Sequence, residues 1–157
     1  MIGHLQSNKA AKAAELFNAV DSVDSLRLAE KLNAATQKGN KRLSVLIEIN
    51  VGGEAAKSGV APDSPELEQL LAAAPQLTAL QFCGLMTIPP FTEDPQQARP
   101  YFRRLRELRD QIAARHLPAV NLNVLSMGMS HDFEVAIEEG ATCVRIGTAI
   151  FGARPKR

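Results

Sequence analysis

Large aromatic side chains are scarce. Six Phe and one Tyr occur and Trp is absent, so the chain has few side chains on which successive bases could stack. That argues against a single-stranded nucleic-acid partner. A charge of one sign is missing too. Eighteen Lys and Arg face seventeen Asp and Glu, for a formal net charge of +1, and no bulk field draws such a chain to nucleic acid or to an anionic membrane. No apolar run approaches the ~20 residues that span a bilayer. The segment Met1-Ile2-Gly3-His4-Leu5 has neither the basic region nor the apolar core of a signal peptide, and the cytoplasm is the expected compartment. Cysteine is limited to Cys83 and Cys143. Both stand inside apolar runs and read as buried free thiols of a reducing compartment. No repeat, low-complexity tract or linker is visible, and residues 1–157 read as one domain, long enough for a real core.

What is present is strict alternation. Ile2–Leu5 reads as the end of a buried strand, with polar cap residues at Gln6-Ser7-Asn8-Lys9 and a helix to Phe17. A short strand at Val20–Asp24 leads to a helix with Leu26, Ala29 and Leu32 on one face, closed at Gly39-Asn40. Leu43–Val51 is nearly all apolar, as expected of a parallel strand covered on both sides. Glu48 and Asn50 share a face of it, one that points inward if the sheet closes into a barrel. A loop follows from Gly52 to Gly59, with Lys57 set among small residues. Ser64-Pro65-Glu66 opens the next helix, striped by Leu67, Leu70, Leu71 and Ala74. A strand within Leu77–Ile88 is stopped by Pro89-Pro90. Met86, near its end, reads either as core or as a contact for the flat face of a ligand. Asp94-Pro95 opens the longest helix, with Tyr101, Leu105, Leu108 and Ile112 as its buried stripe. Its arginines alternate with acids, the pattern of a solvated face or subunit contact rather than of a nucleic-acid surface.

The last two units carry the chemistry. Residues 125–133 (LSMGMSHDF) and 144–152 (VRIGTAIFG) each run from an apolar strand through Gly, Ser or Thr into a helical pattern. A strand that stops at small residues and turns into a helix leaves backbone N–H groups at the end of the sheet. Those groups and the positive helix end suit phosphate. Ser130 is expected to cap a helix whose apolar face is Phe133, Ala136 and Ile137, ended by Gly140. In an eightfold β/α barrel the usual phosphate site lies in the loops after the last two strands. About six strands are expected here, so a barrel reading leaves the first two β/α units missing.

The segments 2–9 (IGHLQSNK), 84–89 (GLMTIP), 125–130 and 144–152 resemble the pyridoxal-5′-phosphate homeostasis proteins (YggS/PROSC type), over nearly the whole chain. The resemblance implies an α/β fold of the TIM (β/α)8 barrel type, like the alanine racemase N-terminal domain. It also implies binding of pyridoxal 5′-phosphate (PLP), in the role of carrier or regulator of vitamin B6 rather than of an enzyme with established turnover. By the same resemblance Ser126, Ser130, Gly147 and Thr148 hold the phosphate and Arg145 faces the pyridine nitrogen. Met86 and Asn50 are weaker candidates for ring packing and pocket polarity. An arginine there leaves the ring nitrogen unprotonated, which makes a poor electron sink and suits a carrier.

The chain departs from the pattern at its start. The lysine that binds PLP covalently in this family lies in a Val-Ser-Lys-Thr-like strand, and a Gly-Glu-Asn segment follows; neither is present. A truncated member is therefore expected, one that binds PLP, or only phosphate or sulfate, non-covalently. Exposed strand edges would favour self-association. The competing reading is a β/α-barrel enzyme acting on another phosphorylated metabolite, with His4 or His131 as base.

Overall fold

The computed structural model describes residues 1–54 and 57–153. Ala55 and Ala56, in the expected loop after the third predicted strand, and residues 154–157 lie outside the described residues. Five strands form one parallel sheet in sequential order: β1 (Ala19–Val23), β2 (Leu43–Glu48), β3 (Leu80–Met86), β4 (Val120–Met129) and β5 (Cys143–Arg145). Before them comes α1 (Ala10–Leu16), between them run α2 (Leu26–Lys38), α3 (Pro65–Ala73), α4 (Arg99–Ala113) and α5 (Phe133–Glu138), and after them the single turn α6 (Thr148–Phe151). Sequential parallel order with a helix in each crossover is the β/α repeat that the hydrophobic pattern demands.

The pleat sorts the strand residues. Val45, Ile47, Leu85 and Leu125 meet Leu28 and Leu32 of α2, Leu67 and Leu70 of α3 and Phe102 and Leu105 of α4 in one core. In register on the sheet, Glu48 neighbours Met86, Met86 neighbours Ser126 and Ser126 neighbours Cys143. These residues share a face, because neighbours in a parallel ladder point the same way.

Several expectations need correction. Ile2–Leu5 is not a strand. Met1 alone keeps ladder-like bonds, its N-terminus donating to Ala19 O at 2.8 Å and its carbonyl accepting from Asp21 N. The Gly3 carbonyl is then taken by the Ser22 hydroxyl at 2.7 Å, which ends the pairing. Ser126–Met129, read as a turn, is the second half of β4. The register shifts there, and Gly128 lies at φ +90° with a Cβ position only 2.5 Å from Ala136 Cβ, so only glycine fits. On α4 the buried stripe is Phe102, Leu105, Leu108 and Ile112; Tyr101 is only half-buried. A 3-10 turn at Pro95–Ala98 delays the α-helix to Arg99 and sets its phase. Asp132, not Ser130, precedes α5, and its Oδ1 accepts from Met129 N at 2.7 Å. The buried residues of that helix are Val135 and Ala136, with Ile137 exposed. Both cysteines are free, as expected, but Cys83 is only half-buried and Cys143 is exposed.

Candidate ligand site at the strand ends

The site begins with Arg145, the last residue of β5. Its Nη1 donates to the Ser126 carbonyl at 2.9 Å and the Ser126 hydroxyl at 2.8 Å, and its Nη2 donates to Thr87 O at 2.8 Å. The guanidinium thus bridges the C-terminal ends of β3, β4 and β5. All three acceptors are neutral. Among the described residues no carboxylate stands within ion-pair distance of Arg145. Burial pushes its pKa down, against the more distant Cys143, Asp21, Asp132 and Glu48, which hold it up. An arginine keeps its proton in such a place, because its reference value is far above neutrality. The result is a half-buried cation whose charge is solvated by dipoles rather than cancelled.

Beside it lies the turn into α6. Gly147 N donates to Ser130 Oγ at 3.0 Å and Ala149 N to the same oxygen at 3.2 Å. Two backbone donors therefore converge on one oxygen, the arrangement that a phosphate oxygen takes at a strand-to-helix turn. Here a serine hydroxyl fills it. The turn is open: Gly147, Thr148 and Ala149 are exposed, and a Cβ added to Gly147 would meet nothing within 4 Å. Reaching both amides requires displacing, or sharing with, Ser130 Oγ.

Of the residues expected in the site, Ser130, Gly147, Thr148 and Arg145 are brought together. Ser126 sits apart from the open turn. It is fully buried, and its hydroxyl accepts from Arg145. Met86 is fully buried beside it on the sheet and presents no surface to a ring. Asn50 turns away: its Nδ2 donates to Glu54 O at 2.9 Å, and it lines a different hollow with Asp63, Ser64 and Arg104. The candidate bases are also engaged. His131 Nε2 lies 3.0 Å from Thr92 O with its ring against Phe91, and His4 pairs with Asp24 at 3.3 Å.

Sequence reasoning missed two features. Thr87, within the quoted GLMTIP segment, supplies the third acceptor for Arg145 through its carbonyl, which carries no side-chain signal. Glu48 is expected to point inward if the sheet closes into a barrel, and no local sequence signal announces its isolation there. The residue is 4% exposed, with Oε1 accepting from the Ser58 hydroxyl at 2.7 Å and Oε2 without a partner among the described residues. Burial raises its pKa above the ordinary carboxylate range.

The model of the alanine racemase N-terminal domain matches residues 1–155. A pyridoxal phosphate homeostasis protein of Aquifex aeolicus (strain VF5) is 50% identical over 153 residues, which are 98% of this chain and 65% of that protein. The pyridoxal phosphate homeostasis protein of Pseudomonas aeruginosa is 47% identical over 98% of this chain and 63% of its own length. This chain thus spans a little under two thirds of the curated relatives it matches. The structure of PipY from Synechococcus elongatus PCC7942 with PLP bound superposes with a TM-score of 0.79 at 35% identity, covering 96% of this chain and 68% of PipY. The five-stranded sheet has the alanine-racemase-like α/β fold, related to the TIM barrel. The chain belongs to the alanine racemase N-terminal domain family, within its group of pyridoxal phosphate homeostasis proteins.

Proposed function

We propose that this chain binds PLP at the ends of β4 and β5, as the ligand-holding domain of a vitamin B6 carrier or regulator. The observation that carries the reading is the Arg145 guanidinium, half-buried and uncancelled, beside an open turn with two convergent amides. PLP supplies an aromatic ring with a nitrogen acceptor at one end and a phosphate at the other. Arg145 donates to the first; Gly147, Thr148 and Ala149, with Ser130, face the second. PipY, with PLP bound in its structure, and the homologues' name support the same ligand. When bound, PLP brings an electron-withdrawing ring to an amine. This chain's residues orient the ligand and hold its charge, but an arginine at the ring nitrogen gives that ring no proton. A carrier follows more readily than an enzyme.

The holding is non-covalent. Lys57, the lysine of the loop after β2, pairs with Glu54 and donates to Pro89 O at 3.4 Å. Among the described residues no lysine stands in the middle of a strand. A domain of this kind acts in the cytoplasm, where PLP-dependent proteins would receive the cofactor. Two open sheet edges also favour self-association.

The test is a titration of the chain with PLP, followed by absorbance and intrinsic fluorescence. Saturable binding, weakened at least about tenfold in Arg145→Met and less in Ser130→Ala, is expected for the loss of charge-assisted hydrogen bonds. Equal affinity in Arg145→Met removes the arginine from the site. PLP that survives borohydride and denaturation on the chain overturns non-covalent holding.

A further inference from the structure

A second hollow lies at the end of β2, on the far side of Met86 from Arg145. It has a volume of about 620 Å3, and its walls are His4, Glu48, Ile49, Lys57, Ser58 and Ile88. The two basic side chains on its wall already have acids of their own: His4 has Asp24, and Lys57 has Glu54. Glu48 has none. Ser58 satisfies Oε1, while Oε2 is buried with no donor among the described residues. A buried acceptor left without a donor costs the full desolvation of the group, and a carboxylate does so more than a neutral oxygen. The missing partner is therefore a hydrogen-bond donor, and a positively charged one answers the charge as well. Ile49 and Ile88 add an apolar wall.

We propose that this hollow is a binding site for a small primary ammonium ligand, its –NH3+ on the Glu48 carboxylate and its carbon chain against Ile49 and Ile88. The site is distinct from the Arg145 turn, although Glu48 and Arg145 stand close enough to feel each other's charge. The volume is ample for an amine of a few carbons. Desolvation holds the Glu48 carboxyl above its usual range, and an ammonium beside it favours the ionised form.

The experiment uses the whole chain and three probes of one length: n-butylammonium, 1-butanol and butyrate. Amide shifts of Ile49 and Ser58 are followed by NMR at about pH 8, chosen to favour the carboxylate. Saturable shifts with n-butylammonium are expected, with at least about tenfold weaker effect from 1-butanol, the loss of one charge-assisted hydrogen bond. Glu48→Gln, which keeps the side chain's shape, should weaken the ammonium by a similar factor and change PLP binding far less. Arg145→Met should do the reverse. The wild-type comparison of ammonium with alcohol stands even if a variant fails to fold. Equal binding of the alcohol, preference for butyrate, or no saturable shift with n-butylammonium each overturns the proposal.

Discussion

Glu139 shows how far one residue's surroundings decide its role. It is 3% exposed at the end of α5, and Arg99, Arg103 and Arg106 of α4 all reach it. Arg103 is the main cause, with Arg99, of a pKa held below the ordinary 4.5. A carboxylate whose folded value is depressed contributes stability that is present above the unfolded value and is lost as pH falls through the folded one. Glu139→Gln should therefore cost about 1–2 kcal/mol in urea unfolding at neutral pH, a figure kept small because the arginines are partly exposed. The gap between variant and wild type should close on acidification below the ordinary glutamate range. At this scale the sequence was partly legible. The arginines of α4 stood out as a face interleaved with acids, but their partner lay one unit further along the chain. The same distance hid the role of Ser126. The pleat turns this serine of a glycine-rich motif inward, and its hydroxyl accepts from Arg145.

Helices and strands were the most legible level, because each is announced within a few residues. Ser25 and Ser64 accept from Leu28 N and Leu67 N, both at 3.3 Å, as serines do when they cap a helix. Ser64→Ala should lower stability by about 1 kcal/mol, measured by thermal or urea unfolding. The crossing of β3 and β4 is less forgiving. A Cβ on Gly84 would sit 1.9 Å from Val124 O. Gly84→Ala must push backbone apart in the middle of the sheet, and a loss of at least about 3 kcal/mol is expected, or insoluble protein. The second half of β4 escaped sequence reading because Ser-Met-Gly-Met lacks β-branched residues and its glycine suggests a turn. Tertiary pairing with β3 and β5 overrides that preference. The face of α5 was misread for a related reason: Asp132 starts the helix two residues later than Ser130 would, which rotates Ile137 outward.

The whole molecule exposes 8879 Å2 of surface, against roughly 7,700 Å2 for a compact monomer of 17.0 kDa. The surplus, about 1,200 Å2, exceeds the ~800 Å2 per partner of an ordinary interface. Large apolar side chains contribute to it, among them Phe91, Ile150 and Phe151 at 81%, 68% and 85% exposure. Concentration-dependent association should appear in sedimentation velocity as a rising coefficient; a single 17.0 kDa species at every concentration would count against it. Parallel β/α order was legible because alternating buried strands and amphipathic helices admit little else. The curl and width of the sheet were not, since they depend on strand twist and on pairing between distant units. Arg145 holds the Thr87 carbonyl and the Ser126 carbonyl at once, and the latter also accepts from Thr87 N at 3.1 Å. The guanidinium is thus a lashing across three strand tips. A ligand that steadies it should slow deuterium uptake at all three, including amides it never touches.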